Sequence, residues 1–253
     1  MRPLVLISND DGIQSHYIVE LAAAIERDGA ETLVVAPEKP RSAMSHSITL
    51  HKPLRVSEIA PSRYAVSGSP VDCVYIALHK LASRKPSLVV SGINDGYNLG
   101  TDVFYSGTVG AAVEGGLRGL PAIALSTEPG RHSMSETVDF AAAVVRSALE
   151  EDLGAGTVVN VNIPHGCDGR YRWTRLGRRY YGDDVHERKD PRGRSYFWIG
   201  GGDVGMEEDP GTDCEAIGKR IASLTPLMLD PTDHRGLNDG RWNVLGMTEE
   251  PQQ

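Results

Sequence analysis

The 253-residue chain has few cysteines, no excess of positive charge and no long apolar run. Its three cysteines, Cys73, Cys167 and Cys214, are widely separated, and none belongs to a Cys-x-x-Cys pair. The sequence therefore predicts neither a disulfide framework nor a structural zinc site. We interpret the three as ordinary thiols of a reducing compartment.

The charge balance and the lack of apolar runs exclude two further classes of protein. The formal net charge is -8, whereas a broad nucleic-acid surface needs clustered Lys and Arg, so no stable complex with nucleic acid is expected. The apolar stretches are too short to span a bilayer, and the first residues lack the hydrophobic region of a signal peptide. We expect no membrane association and a cytoplasmic location.

Several common nucleotide and hydrolase motifs are also missing. No Gly-x-Gly-x-x-Gly follows the first apolar run, and the chain contains neither a Gly-x-x-x-x-Gly-Lys-Ser/Thr loop nor a Gly-x-Ser-x-Gly elbow. Residues 9–11 read Asn-Asp-Asp, a poor match to the Asp-x-Asp phosphatases. NAD or ATP binding of the usual kind and serine-based hydrolysis are therefore not expected.

What the chain does contain is an alternation of strand-like apolar runs and amphipathic segments from Pro3 to Asn162. This alternation is typical of βαβ units, and it predicts an α/β fold with a Rossmann-like three-layer core and a mainly parallel sheet over residues 1–165. The segment 170–205 is rich in Arg, Tyr, Asp and Gly, and Pro-Arg-Gly at 191–193 predicts a hairpin turn. We expect 166–253 to form a β-hairpin arm and a C-terminal extension, within a single domain that spans 1–253.

Two adjacent carboxylates, Asp10 and Asp11, follow the predicted strand at 4–7 and precede Gly12. Ligands of open parallel sheets bind at the carboxyl ends of strands, and two like charges at one site favour a compensating cation. The acidic pair therefore indicates a divalent metal. The alternative is a plain turn, because Asn, Asp and Gly all favour turn geometry.

Two glycine-rich segments strengthen the metal interpretation. Residues 91–100 read Ser-Gly-Ile-Asn-Asp-Gly-Tyr-Asn-Leu-Gly and follow the apolar run at 88–90, so a second strand end offers polar ligands. Residues 106–115 read as the start of a helix with small side chains, and a helix N-terminus can hold phosphate without Lys or Arg. Close helix packing is the alternative there.

Asp72 instead matches a helix cap in Ser69-Pro70-Val71-Asp72 and is expected to be structural.

The order of several motifs resembles the SurE family of survival-protein nucleotidases. The matching segments cover nearly the whole chain. They are Ser-Asn-Asp-Asp-Gly at 8–12, Val-Ala-Pro at 35–37 with Arg41 and Ser42, Ser-Gly-Ile-Asn at 91–94, Tyr-Ser-Gly-Thr-Val at 105–109, Asn-Val-Asn-Ile-Pro at 160–164, Gly-Thr-Asp at 211–213 and Ser-Leu-Thr-Pro-Leu at 223–227. One departure is Ser-His-Tyr-Ile at 15–18, where the family more often has Ala-Pro-Gly followed by Ile or Leu.

The resemblance implies a metal-dependent phosphatase that removes phosphate from nucleoside 5′- and 3′-monophosphates. By position in the motifs, the metal ligands are expected to be Asp10, Asp11, Ser42 and Asn94. Such an all-oxygen set suits one Mg²⁺ or Mn²⁺ per subunit. The resemblance also implies a homodimer or homotetramer that exchanges the arm and C-terminal segment.

For the reaction itself, we expect Asp10 and Asp11 to be catalytic, by attacking phosphorus or by orienting water. The phosphate oxygens are expected to bind four residues around the start of the helix: Asn98, Ser106, Gly107 and Thr108. Neither His46 nor His234 is assigned as a general acid. His16 either lines the substrate pocket or is a surface histidine at a helix start, which is the more common case. The alternatives are a non-catalytic nucleotide or sugar-phosphate binding module and, third, a metal-dependent glycosyl transferase.

Overall fold

The sequence alternation produces alternating strands and helices along the chain. The computed structural model describes residues 2–130, 134–151, 153–182, 185–200 and 204–238. In chain order the strands are β1 (Leu4–Ser8), β2 (Glu31–Pro37), β3 (Val56–Ala60), β4 (Arg63–Val66), β5 (Leu88–Asp95), β6 (Ala122–Thr127), β7 (Val158–Ile163), β8 (Tyr171–Trp173), β9 (Arg178–Tyr181), β10 (Val185–Lys189), β11 (Ser195–Ile199), β12 (Val204–Glu207) and β13 (Ala222–Leu227). The α-helices are α1 (His16–Arg27), α2 (Pro70–Ile76), α3 (Gly107–Leu117), α4 (Met134–Glu150), α5 (Asp213–Gly218) and α6 (His234–Asn238).

A nine-stranded sheet forms the centre of the fold, in the order β3-β4-β2-β1-β5-β6-β7-β13-β8. Six neighbouring strands of this order run parallel to one another, namely β4, β2, β1, β5, β6 and β7. β3 runs antiparallel to β4, and β13 runs antiparallel to β7. The predicted α/β, Rossmann-like fold with a mainly parallel sheet is confirmed. Because β1 pairs directly with β5, the two polar strand ends predicted to offer ligands lie side by side.

Helices cover both faces of this sheet. Alternate residues of β1 point to opposite faces, so that Val5 and Ile7 pack in the cluster with α1 and α4, while Leu4 and Leu6 pack in the cluster with α2 and α3. Each face removes a broad apolar surface from water. The result is the expected three-layer arrangement.

The helix α2 begins as the sequence predicts. Ser69 accepts a hydrogen bond from the Asp72 N–H, Asp72 accepts one from the Ser69 N–H, and Pro70 occupies the first turn. Asp72 also accepts hydrogen bonds from the backbone N–H and hydroxyl of Thr49, at 2.8 and 2.7 Å. Its predicted structural role is confirmed, and it extends to holding a distant loop.

The C-terminal part of the chain contributes to both the sheet and the hairpins. β10 and β11 pair antiparallel around the predicted turn at 191–193, and β9 pairs with β12, so the expected hairpins are confirmed. The strands β13 and β8 lie instead at one edge of the main sheet. The division of the chain at residue 165 stays a prediction, and residues 239–253 of the predicted extension lie outside the described part.

Within the described ranges, no helix is both long enough and apolar enough to span a membrane.

Candidate functional site

The acidic pair lies at the carboxyl ends of β1 and β5, in a pocket of about 840 Å³. Asp10 is buried, with 6% of its surface exposed, and Asp11 is partly buried. Ser42, Asn94, Asn98 and Ser106 line the same pocket. The structure thus brings together six of the eight predicted site residues along its wall.

The turn that carries the acidic pair is built by its neighbours. The side chain of Asn9 donates to the Gly12 carbonyl and accepts from the Gly12 N–H, both at 3.0 Å. Gly12 has a φ of +92°, and a Cβ there would lie 3.2 Å from the backbone carbon of Lys39. The segment therefore forms a turn, and this turn presents the two carboxylates to the pocket.

Thr108 and the start of α3 hold the carboxylate of Asp10. The Thr108 hydroxyl donates to Asp10 Oδ1 at 2.5 Å, and Gly107 lies so close that a Cβ there would be 3.1 Å from the Asp10 Cβ. Burial raises the pKa of Asp10 to about 6, with the charge of Asp11 acting in the same direction and the Thr108 hydrogen bonds acting against it. Thr108 therefore contacts the acidic pair directly, and its predicted part in phosphate binding stays a prediction.

Replacing Thr108 with valine tests this contact, because valine keeps the shape and removes the hydroxyl. We expect affinity for Mn²⁺ to fall by roughly 10- to 100-fold, as it does when a ligand loses its hydrogen-bonded support. Isothermal titration calorimetry on metal-stripped protein measures this affinity.

The matched control is Thr127→Val, since that buried hydroxyl donates to the Ile163 carbonyl at 2.9 Å and does not line the pocket. Both variants should lose about 1 kcal/mol of stability. An equal loss of metal affinity in the two variants would show that the Thr108 contact has no special role.

Ser42 reaches the pocket on a loop that is tied to the rest of the site. The Arg41 N–H donates to the Asp10 carbonyl at 2.7 Å, and the Ser45 N–H donates to the Tyr105 carbonyl at 3.0 Å. Ala43 and Ser45 have φ angles of 56° and 54°, a region that is costly for residues with a side chain. These contacts hold the loop against that cost.

A buried carboxylate on α3 adds a further anchor for this loop. Glu114 is 2% exposed, forms an ion pair with Arg118 at 2.7 Å and shares a hydrogen bond with His46 Nε2 at 3.0 Å. Burial raises the pKa of Glu114, but the hydrogen bonds from His46 and Arg118 outweigh it and keep the pKa below its usual value. His46 therefore has a structural partner and does not line the pocket.

Asn94 and its neighbour bring the end of β5 to the acidic pair. The Asn94 amide donates to the Gly96 carbonyl at 2.7 Å, which leaves its carbonyl oxygen to act as a ligand. The Asp95 N–H donates to Asp11 Oδ2 at 3.2 Å. Asp11 and Asn94 are thus fixed relative to each other.

Asn98 is held by a group of buried polar residues on β6 and β7. Its N–H donates to Asn162 Oδ1, its carbonyl accepts from the side chains of Asn160 and Asn162, and its amide donates to Ser126 Oγ, all within 2.8–3.0 Å. Fixing this backbone fixes the side chain that lines the pocket.

The donor set fits a hard divalent cation. Asp10, Asp11, Ser42 and Asn94 supply only oxygen ligands, and Asp95 adds negative charge to the same pocket. None of the described residues that line the pocket is Lys or Arg, so the lining offers Asp10 no basic partner for an ion pair. No cluster of three His, Cys, Asp or Glu side chains suited to a metal occurs in the described ranges. A metal here must therefore use the hydroxyl and amide oxygens as well.

Sequence reasoning missed part of the pocket wall. Five acidic or aromatic residues line it that were not among the predicted site residues, namely Asp95, Tyr97, Asp102, Tyr105 and Tyr181. Tyr105 directly precedes the helix start, which was the available signal. The two other histidines with an open role, His16 and His234, do not line the pocket. His16 is the exposed first residue of α1, and His234 Nε2 lies 2.8 Å from Asp230 Oδ2.

The chain is similar to known proteins over nearly its whole length. A family model described as "Survival protein SurE" matches residues 5–183. The 5′-nucleotidase SurE of Anaeromyxobacter dehalogenans (strain 2CP-C) is 49% identical over 252 residues, covering 98% of each chain. The 5′-nucleotidase SurE of Syntrophotalea carbinolica is 45% identical, covering 95% of this chain and 98% of its own. The crystal structure of the SurE protein from Aquifex aeolicus matches with a TM-score of 0.81 at 35% identity, covering 94% and 98% of the two chains.

Proposed function

The chain belongs to the SurE family, and on that premise we propose that it is a 5′-nucleotidase, a phosphatase that converts nucleoside monophosphates to nucleoside and phosphate. The observation that carries the proposal is the buried Asp10, which lies beside Asp11 and at the N-terminus of α3 in one pocket. We extend the proposal to 3′-monophosphates and to dependence on one Mg²⁺ or Mn²⁺ per subunit.

The roles of the residues follow from their positions. Asp10, Asp11, Ser42 and Asn94 would hold the metal. When bound, such a cation neutralises phosphate charge and lowers the pKa of a coordinated water. Thr108 keeps the Asp10 carboxylate in place.

The phosphate oxygens have a separate set of donors. The Ser106 side chain caps α3 by accepting from the Val109 N–H at 3.0 Å. The backbone N–H of Gly107, in the first turn, has no acceptor within the helix and would donate to phosphate. The Asn98 amide, fixed by Ser126 and the β7 asparagines, is a second donor. Oriented donors of this kind stabilise the charge that spreads over the oxygens during phosphoryl transfer.

Phosphate release from AMP by metal-stripped protein tests the proposal. We expect no release without metal, and release after adding Mn²⁺ or Mg²⁺, with 3′-AMP as a second substrate. No release under any metal, together with tight binding of metal and AMP, would support the non-catalytic binding module instead.

We also propose a cytoplasmic homodimer or homotetramer. The three cysteines are free, as expected in a reducing compartment. The β11 side chains Phe197, Trp198 and Ile199 are 61%, 62% and 90% exposed, which is unusual for apolar residues without a partner surface. A solution mass equal to one chain, measured by light scattering, would contradict the assembly.

A further inference from the structure

The residues that line the pocket fall into two groups of different chemistry. The acidic pair, Ser42, Asn94 and Ser106 at the start of α3 are polar and suit a metal and a phosphate. The second group is aromatic and apolar, and contains Tyr105, Tyr181, Val185 and Ile199. A volume of about 840 Å³ is far more than a phosphate needs and lies within the range of pockets that enclose whole small ligands.

Tyr105 lines this pocket, and two hydrogen bonds hold its backbone. Its N–H donates to the Asp102 carbonyl at 2.9 Å, and its own carbonyl accepts from the Ser45 N–H at 3.0 Å. Its side chain is nevertheless 69% exposed. Because Tyr105 directly precedes Ser106, the cap of α3, the ring stands next to the donors that we assign to phosphate.

Tyr181 is held in the same pocket through the same aspartate. Its hydroxyl donates to Asp102 Oδ1 at 2.6 Å, and Arg179 pairs with Asp102 Oδ2 at 2.7 Å. The Arg179 guanidinium lies 5.4 Å from the centroid of the Tyr181 ring. Asp102, which is 7% exposed, therefore holds the backbone of Tyr105 through its carbonyl and the hydroxyl of Tyr181 through its carboxylate.

We propose that Tyr105 and Tyr181 bind the nucleobase of the substrate, with the base stacked on the Tyr105 ring. The inference rests on the proposed nucleotidase function and adds the part of the pocket that recognises the nucleoside. Flat aromatic rings accept any base, since every base has a π-face, and larger bases gain more contact. We therefore expect a lower KM for AMP and GMP than for CMP and UMP.

Kinetics of Tyr105 variants test the proposal on AMP and on ribose 5-phosphate, which lacks a base. Tyr105→Ala should raise KM for AMP roughly ten-fold with little change in kcat, because stacking contributes equally to the ground and transition states. Tyr105→Phe keeps the ring and should retain the KM of the unchanged protein. Ribose 5-phosphate, measured as a substrate and as a competitive inhibitor of AMP hydrolysis, should bind equally to all three.

The matched control is Phe104→Ala, because Phe104 is 70% exposed and adjacent but does not line the pocket. Its KM for AMP should not change. Equal effects of Phe104→Ala and Tyr105→Ala on AMP, or equal effects of Tyr105→Ala on AMP and ribose 5-phosphate, would overturn the base-stacking role. Failure of the unchanged protein to release phosphate from AMP would instead overturn the proposed function itself.

Discussion

Asp10→Asn is expected to lower metal-dependent phosphate release from AMP by on the order of 100-fold or more. The proposed metal ligands are two carboxylates, one hydroxyl and one amide, and the substitution replaces one of the two carboxylates with a neutral amide. Calorimetry should show a parallel loss of Mn²⁺ affinity. Release rates for the variant and the unchanged protein at saturating Mn²⁺ give the size of the effect.

The same substitution should leave the metal-free fold intact. Burial raises the pKa of Asp10 to about 6, so at neutral pH its charged form opposes folding, and the neutral amide removes that cost. We expect the metal-free variant to unfold at or above the temperature of the unchanged protein. Added Mn²⁺ should then raise the Tm of the unchanged protein only.

Asp139→Asn is the matched control for Asp10→Asn, because Asp139 is exposed on α4 and lies outside the pocket. It should leave release and metal affinity unchanged. Full activity in the Asp10→Asn protein would contradict the central role of the acidic pair.

Gly92→Ala is expected to lower the free energy of unfolding by more than about 3 kcal/mol. Gly92 lies in β5 with a φ of +133°, and a Cβ there would be 2.3 Å from the carbonyl oxygen of Leu125 in β6. A backbone oxygen inside a sheet cannot move aside as a flexible side chain can, so the two strands must separate. Urea unfolding of metal-free protein measures the loss.

Gly29→Ala separates backbone conformation from the clash. Gly29 also has a positive φ, +94°, but a Cβ there would meet no atom within 4 Å. It should therefore cost only about 1 kcal/mol. A loss for Gly92→Ala no greater than that for Gly29→Ala would show that the β5–β6 approach tolerates a side chain.

Local patterns in the sequence predicted the core of the fold well. The amphipathic segments predicted helices between the strands, and the cap at Ser69 predicted the start of α2. The apolar runs predicted β1 and β5, and parallel pairing then placed their polar ends together. Each of these signals depends on residues close in sequence or on a general rule of α/β topology.

The strands β3 and β13, which local patterns did not predict, lack such signals. β3 is exposed along most of its length, so Val56–Ala60 shows no alternation between buried apolar and exposed polar residues. β13 buries Ser223 and Thr225 against the asparagines of β7, so its sequence does not resemble a core strand. It also contains Pro226, which is accommodated because β8 pairs only with residues 222–224.

The geometry of the site depends on contacts between distant residues. The Thr108–Asp10 hydrogen bond joins residues 98 positions apart, and Asn98 meets Asn162 across 64 positions. Nothing local in the sequence specifies such pairs. Asp102 holds Tyr181 across 79 positions, which explains why Tyr181 was not predicted to line the pocket.

An anomalous difference map from crystals soaked in Mn²⁺ tests the central claim most directly. The account predicts one peak per subunit, with manganese about 2.0–2.4 Å from oxygens of Asp10, Asp11, Ser42 and Asn94. A peak at other residues, or no peak at a Mn²⁺ concentration that supports phosphate release, would contradict it.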